Sequence, residues 1–134
     1  MGVIVVGYVP KPEGRAALRR AVEEATLRDS RLVVVNSHRG GRDFDRDEAV
    51  EVESQLDEVR RELTSSGVEY ELRQLVRGLD PAEDLVSLAD ELRADLIVIG
   101  LRRRTPVGKL ILGSNAQRVL LDAQCPVLAV KSAE

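Results

Sequence analysis

Apolar residues fall along this chain in two alternating rhythms. Short and almost wholly apolar runs occur at Val3-Ile4-Val5-Val6-Gly7-Tyr8, Leu32-Val33-Val34-Val35, Leu96-Ile97-Val98-Ile99-Gly100 and Pro126-Val127-Leu128-Ala129-Val130. Strands covered on both faces read this way. Between them lie stretches whose apolar positions recur at helical spacing. Leu18, Ala21, Val22 and Ala25 mark a helix over about 13–27, and Val52, Leu56, Val59 and Leu63 a longer one over about 45–65. Leu85, Leu88, Ala89 and Leu92 give a third, and residues 114–122 a short fourth. One further strand, over about 68–76, mixes Tyr70, Leu72 and Val76 with Glu69, Glu71 and Arg73, the pattern of a partly exposed sheet edge.

Local punctuation agrees. Gly67 stands where the second helix must stop. Asp80-Pro81-Ala82-Glu83 predicts a helix start, with Asp80 as the N-cap, Pro81 at the first helical position and Glu83 closing a capping box. Strands that alternate with helices predict a parallel sheet with helices on both faces, in a single domain spanning 1–134. In such a sheet a ligand binds beyond the carboxyl ends of the strands, where the winding reverses.

Composition narrows the function. Aromatic residues make up 2% of the chain, which excludes the stacking platforms used for single-stranded nucleic acid. The net charge is −3 with both signs interspersed, so no nucleic-acid footprint is expected. The lone Cys125 can form neither an intramolecular disulfide nor a cysteine-based zinc site, and it reads as a small packing residue. No apolar run approaches membrane-spanning length, and the chain opens directly on an apolar strand, so a cytoplasmic protein without membrane contact is expected.

The most informative segment runs from Gly100 through Arg102-Arg103-Arg104 and Lys109 to Gly113-Ser114-Asn115. It leaves the end of a buried strand and enters a helix, whose first amides lack partners and suit a phosphate. Arginines and Lys109 supply positive charge beside it. The plainer alternative is a helix cap preceded by a solvated basic loop.

Asp95-Leu96-Ile97-Val98-Ile99-Gly100, Leu110 to Leu120 and Cys125-Pro126-Val127-Leu128-Ala129-Val130-Lys131 together resemble the C-terminal signature of the universal stress protein family. The order of elements extends the resemblance over essentially the whole chain. It implies an open five-stranded parallel sheet, doubly wound with strand order 3-2-1-4-5, of the adenine nucleotide alpha hydrolase-like kind. It also implies a stress-response module rather than a metabolic enzyme, with at most very slow ATP hydrolysis. The family's nucleotide-binding branch implies ATP or AMP as ligand, with Mg2+ accompanying ATP. Its motif is Gly, two residues, Gly, nine residues, then Gly with Ser or Thr. Gly100 and Gly113-Ser114 match, while Arg103 stands at the middle glycine and Val9 where the family often has Asp. A side chain at the middle position either blocks the close backbone approach to phosphate or replaces it with a guanidinium grip. The first outcome leaves a nucleotide-independent dimeric interaction module.

Gly100, Arg102, Arg103, Gly113, Ser114 and Asn115 are thus the candidates for phosphate and ribose, and Gly7, Tyr8, Val9, Val35 and Asn36 for the base. The resemblance further implies a homodimer through the last strand. Val127, Leu128, Ala129 and Val130 are apolar on both faces, and at a sheet edge such a strand invites pairing. Other folds of similar rhythm do not fit. The first strand lacks the paired acids of a receiver domain, and Gly108-Lys109 is followed by Leu110, not Ser or Thr, so no P-loop is present. His38 follows the second strand alone, without an activating partner, and reads as a solvated loop residue.

Overall fold

The computed structural model describes residues 2–37, 46–75, 80–101 and 113–132. Elements alternate as β1 (Val3–Tyr8), α1 (Pro12–Arg28), β2 (Arg31–Ser37), α2 (Arg46–Ser66), β3 (Tyr70–Leu75), α3 (Pro81–Leu92), β4 (Leu96–Leu101), α4 (Ser114–Asp122) and β5 (Val127–Lys131). The strands form one sheet in the order β3-β2-β1-β4-β5, and every pairing is parallel.

The apolar runs are central because they are covered twice. On one face Ile4, Val6, Leu32, Val34, Leu96 and Val98 pack with Ala17, Leu18 and Ala21 of α1 and with Val59 and Leu63 of α2. On the other, Val5, Val33, Val35, Ile97 and Ile99 pack with Ala82, Leu85, Leu88 and Ala89 of α3 and with Val119 of α4. Successive side chains of one strand thus feed opposite clusters, as a strand of period two requires. Each Val, Leu or Ile so buried contributes roughly 1.5–3 kcal/mol relative to exposure. The mixed strand β3 lies at one edge of the sheet, as its composition predicted, and β5 at the other. On β3, Glu71 pairs with Arg73 at 2.8 Å and with Arg31 of β2 at 3.4 Å.

Helix ends follow local chemistry. Pro12 and Pro81 open α1 and α3, where a fixed φ suits the helix and a missing N–H costs nothing. At the other end, α1 and α3 stop in left-handed residues that are not glycine: Asp29 at φ 51° and Arg93 at φ 53°. The next amides, Ser30 and Ala94, then reach back to the carbonyls of Ala25 and Ala89, both at 2.9 Å. Gly67 takes the same role after α2 at φ 78°.

The expected capping box at α3 is only half present. The Asp80 carboxylate accepts the Ala82 N–H at 2.8 Å, as an N-cap does. The Glu83 carboxylate accepts instead from Arg118 of α4, at 2.7 Å. A guanidinium presented by a neighbouring helix is a stronger partner than a neutral backbone amide.

Candidate functional site

β1 and β4 are neighbours in the sheet, in register from Ile4 opposite Leu96 to Val6 opposite Val98. Their carboxyl ends therefore open on the same rim. The helix after β1 packs on one face and the helix after β4 on the other, so the winding reverses between these strands. A parallel sheet leaves a crevice at such a point.

A cavity of about 150 Å3 occupies the crevice. Gly7, Val35 and Ile99 come to it from strand ends, and Ala82, Leu85 and Val119 from the two helices of the α3–α4 face. Tyr8, Val9, Glu13 and Gly14 supply the turn from β1 into α1, and Pro81, Gly100, Asn115 and Ala116 complete the lining. The walls are largely apolar, and Glu13 is the one lining carboxylate among the described residues.

Two glycines set the shape of the rim. A Cβ on Gly14 would lie 1.7 Å from the carbonyl oxygen of Val9, and one on Gly100 would lie 2.1 Å from that of Glu13. The first turn of α1 is therefore pressed backbone to backbone against the ends of β1 and β4. Gly100 lies within β4 and is in register with Val130 of β5. Its missing side chain makes room for α1, and the strand continues through Leu101.

The two helices of the cavity wall differ at their N-termini. Asp80 caps α3, whereas α4 begins at Gly113, a glycine with no side chain to cap the first amides of the helix. Ser114 and Asn115 in that first turn are exposed. One turn on, Arg118 donates to both Asp80 and Glu83. The hydrogen bond to Glu83, and then the charge of Asp80, raise the pKa of Arg118 above its ordinary value.

Of the residues singled out from the sequence, Gly7, Tyr8, Val9, Val35, Gly100 and Asn115 line the cavity. Gly113 and Ser114 adjoin it at the start of α4 without lining it. Asn36 is buried but is not part of the lining, since alternation along β2 turns it away from the face that Val35 shares with the cavity. Arg102, Arg103, Arg104, Lys109 and His38 lie outside the described residues. The contributions of Pro81, Ala82, Leu85, Ala116 and Val119 were not anticipated. Their periodicity marked an apolar helix face, and such a face carries no sign of which part of it stops short of full packing.

Burial pushes the Tyr8 hydroxyl above its usual pKa, against the lowering effect of Arg15, and Glu58 and Glu62 add to the rise. Burial likewise raises the Cys125 thiol, so the thiol is less readily ionised than an exposed one. Among the described residues no group of three or more His, Cys, Asp or Glu is placed to hold a metal ion, and no helix is long and apolar enough to cross a membrane.

An open parallel sheet of this order, with a crevice at the β1/β4 reversal, defines a doubly wound α/β protein. The sequence profile of the universal stress protein family matches residues 1–131. A universal stress protein of Mycolicibacterium smegmatis is 47% identical over 129 residues, covering 96% of this chain and 97% of the relative. The chain belongs to the universal stress protein family. The solved universal stress protein of Archaeoglobus fulgidus superposes with a TM-score of 0.85 at 40% identity, over 98% of this chain and 99% of that one. A universal stress protein from the same organism, solved in complex with dAMP, superposes at 0.79 with 35% identity, over 98% of each chain.

Proposed function

We propose that this protein is a stress-response module that binds an adenine nucleotide, AMP or ATP, in the crevice between β1 and β4. The observation that carries the reading is the position of the cavity, at the reversal of winding and beside the uncapped first turn of α4. At about 150 Å3 it is smaller than the clefts of roughly 300 Å3 and above that enclose whole drug-sized ligands. An apolar cavity of that size takes the base, and leaves sugar and phosphate toward Gly113 and Ser114, where amides suit an anion. The dAMP held by the Archaeoglobus fulgidus relative supports the same ligand class.

Arg102 and Arg103 are proposed to supply the phosphate grip by side chain, in place of the close backbone approach that a middle glycine would allow. ATP would bring Mg2+ on its own phosphates, because Mg2+ is usually held through substrate phosphates and few carboxylates. The chain is proposed to act in the cytoplasm by occupancy, not turnover, with ATP hydrolysis at most very slow. It is further proposed to be a homodimer paired along β5, through Val127, Leu128, Ala129 and Val130.

Thermal melting with added AMP, ADP or ATP, with and without Mg2+, tests the ligand. A nucleotide at a hundredfold excess over its Kd stabilises the folded state by about 2.7 kcal/mol, a rise of roughly 10 °C in Tm for a domain of this size. An unchanged Tm at millimolar nucleotide sinks the reading and leaves the nucleotide-independent dimeric module. Light scattering at micromolar protein tests the dimer, and a monomer mass rejects it.

A further inference from the structure

Arg118 does not line the cavity, yet it connects the two helices that do. Its guanidinium reaches across from α4 to Asp80 and Glu83, both at the start of α3. Pro81 and Ala82 lie between those carboxylates in the chain, and Asn115, Ala116 and Val119 surround Arg118 on α4; all five line the cavity. The bridge therefore spans the wall of the cavity at its helical side.

The apolar anchorage of α4 is small: Ala116 packs partly buried beside Val119 on the α3–α4 face of the core. The helix has nine residues, of which only Val119 is fully buried. A helix so short is not stable by itself in water. Asp80 is already fixed by its hydrogen bond to the Ala82 amide, so pairing with it costs little further ordering. A planar guanidinium serves two carboxylates at once, which a lysine ammonium on a flexible stem does poorly. We propose that Arg118 is a positioning residue: by bridging Asp80 and Glu83 it holds the first turn of α4 against the first turn of α3 and so sets the width of the cavity opening. The identity of the ligand that uses the opening rests on the nucleotide reading above; the bridge itself does not.

Amide hydrogen exchange on the ligand-free full chain tests the bridge directly. In Arg118→Met, the hydrogen-bonded amides of α4, residues 117–122, should exchange about fivefold faster, the upper range for a partly exposed ion pair, while the amides of α1 keep their wild-type rates. Arg118→Lys and Glu83→Gln should fall between. The Kd for AMP should weaken by a similar factor in the same order of variants. Unchanged exchange in α4, or a rise shared equally by α1, overturns the proposal. So does unaltered AMP affinity in a variant whose α4 has loosened. If the wild-type chain binds no AMP, the nucleotide reading falls, and the exchange measurement still decides whether Arg118 positions α4.

Discussion

The carbonyl oxygen of Glu13 fills the space that a Cβ on Gly100 would need, at 2.1 Å. Neither partner can yield easily, because one is the first turn of α1 and the other a residue within β4. The Gly100→Ala protein should therefore lose about 2–3 kcal/mol of stability, the cost of forcing extra volume into a packed backbone contact. Urea unfolding checks this: the midpoint should fall with the slope unchanged.

Gly7 offers a gentler perturbation at the same site. A Cβ there would meet Cδ2 of Leu85 at 3.1 Å, the end of a flexible side chain. Both residues line the cavity. Gly7→Ala should change stability by less than about 1 kcal/mol, since Leu85 can give by a few tenths of an ångström. Nucleotide affinity should fall at least tenfold, because the added methyl occupies the apolar space. Calorimetric titration with AMP measures the loss, and wild-type affinity in the variant would show that the base does not enter there.

Arg93 ends α3 in the left-handed region at φ 53°. A residue with a Cβ pays for that conformation, and glycine does not. Arg93→Gly should raise stability by about 0.5–1 kcal/mol, because helix stops of this kind favour glycine. A higher urea midpoint with unchanged nucleotide binding is the expected result.

Alkaline titration should weaken the fold through Tyr8 and Cys125. Burial raises both groups above their ordinary values of 10.0 and 9.0. The folded state keeps these protons at pH values where the unfolded chain releases them. Their contribution is complete below the unfolded pKa and is lost as pH rises through the folded one. Stability should decline above about pH 9, and the decline should be shallower above pH 10 in Tyr8→Phe than in the wild type. Urea midpoints at pH 8, 9.5 and 10.5 provide the comparison.

Much of the fold was legible because apolar runs and helical periodicity report burial directly. Leu96 to Ile99 could only be a covered strand, and the Glu69-Glu71-Arg73 pattern could only belong near an edge. Asp80-Pro81 marked the start of α3 to the residue. The Glu83–Arg118 pair was hidden, because it joins helices that meet only in three dimensions. The packing role of Gly100 was not readable, since a sequence shows that a side chain is missing but not which neighbour uses the room. The cavity was half readable: strand ends at a reversal of winding announce it, whereas Leu85, Ala116 and Val119 look the same in sequence whether they face a void or a core.

The two borders of the sheet are chemically unlike. One carries Glu71 and Arg73, tied to each other and to Arg31. The other presents the uncharged run Val127 to Val130. If β5 pairs with its twin as proposed, a sheet with one such margin meets a partner once and then has nothing left to offer. Growth into a continuous ribbon would need the charged border to join an apolar one and strip its ions of water, so the proposed pairing along β5 would be self-limiting.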